Sequence, residues 1–412
     1  MNKLVAYFGC FWLFVVLDSF FIWNSYEGLI SAFSYLGIIF ITLLYARQGG
    51  LNVDSKSFFS IFFVCLFFLW KLFIYNGNIN GYVRHFLSMA SLLSIMTWPV
   101  GQYEKIYNLF RKAIIFFSIG SSTIFLLSVR GLLQYIPYFE LPARSPLHES
   151  LGIVYHVYGC FVLNYGELEF LPRACGMLQE PGHFAIILGF VYLIDRIMRR
   201  KVSPWVVICG FLTFSPNFPI ILVIAEMYNL FKIENFLRVI KVLAIIIVVG
   251  VVSYSFLSKE SQEDIRYMFY ERNFETVVDA YMTSGSLAEA LDERTSSSGD
   301  DAFKDINASN MLVGLGHDET LITLSDYRGV ILQYGVIGLL LIVMAIIFVS
   351  YRFTIRQRVQ VLAFLFLVLI QRSWMFYASY FYFLPYMCSL LFSEQSMNYD
   401  YDEDEYIGYD IV

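Results

Sequence analysis

Apolar runs of 17 to 21 residues recur along this chain, and they restrict its fold more than any other feature. A helix of about 20 apolar residues crosses the hydrocarbon of a bilayer. Backbone groups in hydrocarbon must satisfy one another, which helices do within a single segment. The composition agrees: 58% of the 412 residues are hydrophobic and 15% are charged, against about a quarter charged in soluble proteins. The mean hydropathy is +0.62. The 41 Phe and 30 Tyr suit lipid-facing surfaces and headgroup belts. The net charge of −6 is small, and no basic stretch suggests a nucleic-acid partner. Met1-Asn2-Lys3 precedes an apolar run without a small-residue cleavage site, which reads as a retained first span.

Basic flanks set the expected topology, because Lys and Arg concentrate on the cytoplasmic side. Spans are expected near 4–23, 27–46, 57–75, 82–100, 113–133, 183–198, 203–215, 219–231, 239–257, 330–349, 359–371 and 375–392. Arg196, Arg199, Arg200 and Lys201 form the strongest inside signal. Ser215-Pro216-Asn217-Phe218-Pro219 breaks 203–231 into two short pieces. The expected class is an all-α polytopic membrane protein of about twelve transmembrane helices, with both termini cytoplasmic and two large outer, periplasmic loops. Its parts are 1–133 (spans 1–5), 134–182 (first outer loop), 183–257 (spans 6–9), 258–329 (second outer loop), 330–392 (spans 10–12) and 393–412 (acidic cytoplasmic tail). The first loop is broken by prolines and contains an apolar piece, 153–163, too short to span and read as re-entrant or interfacial. The second loop holds 15 acidic against 6 basic residues from Lys259, and 262–282 and 286–294 read as amphipathic helices on a solvated face.

The two outer loops gather the chemically capable residues. At the end of the first lies Arg173-Ala-Cys-Gly176-Met-Leu-Gln-Glu180-Pro181-Gly182-His183, which runs directly into a span. The second offers Arg294, His317, Asp326 and Arg328. A guanidinium grips phosphate oxygens through two parallel bonds and stays charged at any relevant pH. A nearby carboxylate or imidazole could take a proton from a hydroxyl. The plainer alternative is that a loop arginine pairs with a loop carboxylate or touches lipid phosphates, and that His156 and His183 are structural. Charges within the spans are few, chiefly Asp18, Lys71 and Glu226. Gly314-Leu315-Gly316 lacks the Lys and helix of a nucleotide loop. The six cysteines show no CxxC spacing, and no metal-ligand cluster or serine triad spacing is evident. Cys160 and Cys175 share the first outer loop, where an oxidising compartment permits a bridge.

Arg173-x-x-Gly176-x-x-x-Glu180-Pro181, followed by a span, resembles the signature of bacterial O-antigen and exopolysaccharide polymerases, within the O-antigen ligase superfamily. Arg294 before Gly314-Leu315-Gly316, the broken pair 203–231, and Tyr334-Gly335-Val336-Ile337-Gly338 are similar to further parts of that family's layout. The resemblance implies an inverting, metal-independent membrane glycosyltransferase without cofactor. Its substrates would be undecaprenyl-pyrophosphate-linked glycans at the outer face of the bacterial inner membrane. Arg173 and Arg294, with Gly176 and Arg328, would bind the donor pyrophosphate. Glu180, His317 or Asp326 would serve as base, and Glu180 could instead orient Arg173. A chain-length regulator is the partner the family implies. The ligases carry a His-Asn pair before the span that follows the large loop. Leu324-Ser325-Asp326-Tyr327 stands at that place here, which favours polymerase over ligase. A flippase would line a central cavity with charges from many spans, and those are scarce.

Overall fold

The computed structural model describes residues 2–22, 27–141, 152–165, 171–230, 259–267, 303, 306–316 and 326–399. In chain order they form helices α1 (Asn2–Val16), α2 (Glu27–Arg47), α3 (Ser55–Phe73), α4 (Ile79–Ile95) and α5 (Val100–Val129). Strands β1 (Phe139–Leu141), β2 (Val154–Tyr158), β3 (Phe161–Tyr165) and β4 (Arg173–Gly176) follow. Then come α6 (Pro181–Ile197), α7 (Pro204–Leu212), α8 (Asn217–Leu230), α9 (Lys259–Arg266), α10 (Ala308–Val313), α11 (Tyr327–Val349), α12 (Ile355–Gln371) and α13 (Tyr380–Tyr399). Two compact units result: Met1–Arg111 with Asp301–Val412, and Lys112–Asp300.

The chain is a mostly helical membrane protein. Among the described residues, four helices are long and apolar enough to cross a bilayer: Gly28–Arg47, Ser55–Phe73, Val100–Val129 and Tyr327–Val349. Lys3–Val16, Asn217–Tyr228 and Tyr380–Ser393 are shorter apolar helices. Helices also occupy the positions expected for spans 82–100, 183–198, 203–215 and 359–371, whereas 239–257 lies outside the described residues. On α2, Leu29, Phe33, Leu36, Phe40 and Leu43 are all exposed. Their three- and four-residue spacing makes one continuous apolar stripe, a face suited to hydrocarbon.

In the first unit α3 and α11 lie antiparallel. The Phe63 and Phe348 rings stack with centroids 4.5 Å apart, and Trp70 Nε1 donates to the Tyr334 carbonyl at 2.8 Å. Their shared end at Asp54 and Tyr351 collects the basic flanks. Arg352 pairs with Asp54, while Arg358 lies 4.8 Å over the Tyr351 ring and Lys56 lies 5.8 Å from it. Asp54 also caps α3 by accepting from Ser57 N at 2.8 Å. Burial would raise the Asp54 carboxyl, but the Ser57 hydrogen bonds and Arg352 outweigh it and hold the group below its ordinary value.

The second unit departs from an all-helical plan. Strands β1 to β4 form a four-stranded antiparallel sheet in the order β1-β2-β3-β4. The apolar piece 153–163 is the central hairpin. Val154, Tyr155, Val157, Tyr158, Phe161 and Val162 are β-branched or aromatic, which suits a pleated, half-buried surface. Gly159-Cys160 closes it as a two-residue turn, with Tyr158 opposite Phe161 and Gly159 at φ +66°. The hairpin lies along α5: the Phe161 ring is 5.3 Å from that of Phe116, and a Cβ on Gly120 would fall 2.0 Å from Phe161. Tyr165 reaches Ser128 at 3.4 Å. The bridge considered between Cys160 and Cys175 is not formed, and both thiols are free. Cys160 occupies the hairpin tip, while Cys175 is buried on β4 with its thiol directed to the Arg173 carbonyl at 3.6 Å. Of the amphipathic helix expected over 262–282, only the first residues are described, at the end of α9, and 268–282 lie outside the described residues; the buried Asp264 of α9 accepts from Leu171 N at 2.8 Å. Residues 286–294 lie outside the described residues.

Candidate functional site

The Arg173–Pro181 signature folds as strand, left-handed turn and helix start. β4 carries Arg173 at its first position and Gly176 at its last. Gly176 adopts φ +64°, and a Cβ there would lie 2.4 Å from the buried Phe184 ring. Only glycine meets both demands without strain. The Leu178 N–H returns to the Cys175 carbonyl at 2.9 Å, closing the turn. Glu180 is the N-cap residue of α6, Pro181 takes the first helical position, and the Phe184 N–H donates to the Glu180 carbonyl at 3.1 Å. Proline is suited there because it lacks a donor that would be left over anyway. The Glu180 side chain makes no cap bond.

Arg173 is buried, and its fork closes the end of a neighbouring helix. Nε donates to the Thr213 carbonyl at 3.0 Å and Nη2 to the Phe214 carbonyl at 3.4 Å. Those carbonyls end α7, whose last turn has no helical donors for them. A cation at a helix C-terminus also complements its dipole. The chain reverses there with Phe214 at φ +48°, an uncommon backbone for a side-chain-bearing residue. Thr213 Oγ1 accepts from Ser215 N at 3.3 Å and donates to the Gly210 carbonyl at 2.7 Å. The break at 213–217 was legible from Ser215-Pro216-Asn217; its engagement by Arg173 was not.

Beside Arg173, Tyr155 and Cys175 are fully buried. Burial, then the nearby Cys175 and Glu180, push the Tyr155 hydroxyl well above its ordinary value, against a hydrogen bond with Gln179. Burial pushes the Cys175 thiol up as well, with Arg173 acting in the opposite sense. Both groups therefore remain protonated and cannot act as ready nucleophiles. The Glu180 carboxylate is within electrostatic reach of both. On the sheet, His156 stacks between Tyr138 (4.3 Å) and Tyr165 (4.4 Å), and its Nε2 lies 3.4 Å from Glu140. Burial lowers its basicity more than Glu140 raises it. His183 is buried in the first turn of α6.

Asp326 and Arg328 belong to the first unit, and the structure joins them. Arg328 Nε and Nη2 donate to Asp326 Oδ2 at 2.9 and 2.7 Å, while Asp326 Oδ1 accepts from Arg328 N at 2.9 Å. Asp326 is the cap of α11, with both oxygens engaged, and its carbonyl accepts from Ser373. Gly314-Leu315-Gly316 is no phosphate cradle. The Leu315 and Gly316 N–H groups donate to the Leu332 and Gln333 carbonyls at 2.8 and 3.1 Å. α11 is interrupted at Gly335 (φ 69°, ψ 178°), where a Cβ would lie 2.2 Å from the Leu312 carbonyl oxygen. The glycines form a seam in which two backbones touch.

Of the expected site residues, Arg173, Gly176 and Glu180 thus share one turn of the second unit, and Asp326 and Arg328 share one ion pair of the first. Arg294 and His317 lie outside the described residues. Lys71, noted only as a rare charge inside a span, is buried with no carboxylate paired to it among the described residues. Its Nζ donates to the Tyr377 carbonyl at 3.0 Å. Of the other two, Glu226 is paired with Arg196 and accepts from Tyr192. No protein-family model, curated protein or solved structure matches this chain.

Proposed function

We propose that the chain is a polysaccharide polymerase of the bacterial inner membrane. It would join undecaprenyl-pyrophosphate-linked repeat units of an O-antigen, capsule or exopolysaccharide at the outer face. One observation carries the reading: the Arg173-x-x-Gly176-x-x-x-Glu180-Pro181 pattern folds as one continuous strand, turn and helix start. In it a buried arginine and a carboxylate flank a glycine whose left-handed backbone and contact with Phe184 disfavour any side chain, within a helical membrane protein. The fuller topology, about twelve crossings with both termini inside, belongs to the same proposal. It draws support from the basic flanks of α3 and α11 meeting at one end.

The chemistry follows from the groups. An acceptor hydroxyl attacks the anomeric carbon of the donor sugar, the bond to the pyrophosphate oxygen breaks, and the hydroxyl proton goes to a base. Negative charge develops on the departing pyrophosphate, where a fixed cation helps most. Arg173 and Arg294 would take that role, and Arg328 is a further residue assigned to binding the pyrophosphate. Glu180 and His317 are the candidate bases, ahead of Asp326, whose oxygens already cap α11 and hold Arg328. The scarcity of charge within the spans supports this reading over a flippase, and Asp326-Tyr327 in place of His-Asn supports it over a ligase.

Deletion of the gene tests the reading. Loss of a polymerase leaves single repeat units on the final carrier. Surface glycan without any attached units would instead indicate a ligase or flippase, and unchanged full-length glycan would refute all three.

A further inference from the structure

We propose that the turn joining α11 to α12, together with the start of α3, forms a binding site for the headgroup of an anionic phospholipid. The inference rests on the first unit alone and not on the polymerase reading. α3 and α11 are both long and apolar enough to cross a bilayer, and Lys56 and Tyr351 stand at their shared end. Two cations approach one ring there. The Arg358 guanidinium lies 4.8 Å from the Tyr351 ring centroid, and the Lys56 ammonium lies 5.8 Å from it. Arg352, next in the chain to Tyr351, pairs with Asp54 and also donates through Nη2 to Ser57 Oγ at 3.1 Å.

The charges in this cluster do not balance. Asp54 is already engaged, because it holds Arg352 and accepts from Ser57 N at 2.8 Å. Neither Lys56 nor Arg358 has a carboxylate partner among the described residues. The Arg358 guanidinium gives one bond, from Nη2 to the Ile347 carbonyl at 3.2 Å, and its Nε is buried without a hydrogen-bond partner. A guanidinium carries donors on all three nitrogens, so the fork retains N–H groups for a ligand. Two like charges about one ring at the edge of hydrocarbon are unfavourable until an anion joins them.

The ligand chemistry follows. Guanidinium and ammonium together suit phosphate oxygens. A headgroup amine would find Asp54 taken and the Tyr351 ring already facing two cations, so an anionic headgroup is favoured over a zwitterionic one. Aromatic contacts lead from the cations along an apolar surface. Tyr351 stacks on Phe348 at 6.3 Å and Phe348 on Phe59 at 5.9 Å, while Phe58 lies 5.9 Å from Phe59 and 6.1 Å from Phe62. Phe58, Phe59 and Phe62 are exposed. An acyl chain can lie along them while its phosphate meets Lys56 and Arg358, whereas a free phosphate would not use that surface.

The test is binding to the purified full chain in neutral detergent, read as a saturable rise in the unfolding midpoint. The probes are phosphatidylglycerol, phosphatidylcholine with the same acyl chains, and inorganic phosphate. Phosphatidylglycerol should stabilise the protein at concentrations where neither of the others does. Lys56→Gln and Arg358→Gln should each weaken its affinity about fivefold, the order expected for one cation near a lipid surface. Lys105→Gln, at an exposed lysine of α5, should leave it unchanged. Lys56 is exposed, so its variant keeps the test decisive if Arg358→Gln fails to fold. Equal stabilisation by phosphatidylcholine, unchanged affinity in Lys56→Gln, or an equal loss in Lys105→Gln would each overturn the proposal. Saturation by inorganic phosphate as strong as by phosphatidylglycerol would overturn the lipid assignment. None of these outcomes depends on glycan synthesis.

Discussion

At Arg173, a structural role stands beside the proposed chemical one. Its fork satisfies carbonyls at the end of α7, so Arg173→Ala leaves buried acceptors without donors. Unsatisfied buried groups cost about 1–3 kcal/mol, and thermal unfolding of the purified variant should fall accordingly. Arg173→Lys keeps the charge but loses the fork; it should recover most of the stability and little of the polymer. Gly176→Ala should destabilise by about 1–3 kcal/mol, since its backbone is left-handed and the new methyl would strike Phe184; unfolding midpoints check this. His156 supplies a pH dependence. Burial lowers its folded-state value below the ordinary 6.5, with Glu140 opposing. The unfolded chain therefore binds its proton more readily. The contribution is complete above pH 6.5 and is lost as pH falls through the depressed folded value. Thermal stability should decline on mild acidification, and less so in His156→Gln.

Among the elements, helical runs are interrupted at two places, the α7–α8 break and Gly335 of α11. The α7–α8 break was readable, because Ser215-Pro216-Asn217 cannot continue a helix. The interruption of α11 was not. Tyr334-Gly335-Val336 reads as an ordinary small-residue site, and only the approach of Leu312 and Gly314 to its backbone explains φ +69° at Gly335. Gly335→Ala should disturb this seam and lower the unfolding midpoint, whereas Gly28→Ala, where a Cβ meets nothing, should not. The sheet was missed for a related reason. Apolar residues signal burial whether they are helical or extended, and the deciding signal in 153–163 was the Gly159-Cys160 turn between β-branched and aromatic runs. Helix positions were legible because apolar length and basic flanks are local properties. The partners of Arg173, Asp326 and Lys71 are 40, 2 and 306 residues away in sequence. Only the short-range pair could be found by spacing.

For the whole molecule, the central claim is that a helical membrane protein carries a glycosyl-transfer site formed around Arg173. Its scaffold rests on long apolar helices with lipid-suited faces. Its chemistry rests on a motif whose geometry is tightly constrained at Gly176 and Pro181. The most direct measurement supplies lipid-linked repeat units, extracted from cells lacking the gene, to purified wild-type protein and to Arg173→Lys. The account predicts that wild type converts them to a ladder of whole-number multiples and releases undecaprenyl pyrophosphate, while folded Arg173→Lys leaves most single units unjoined. Unchanged single units with folded wild-type protein, or equal ladders from both proteins, would contradict it.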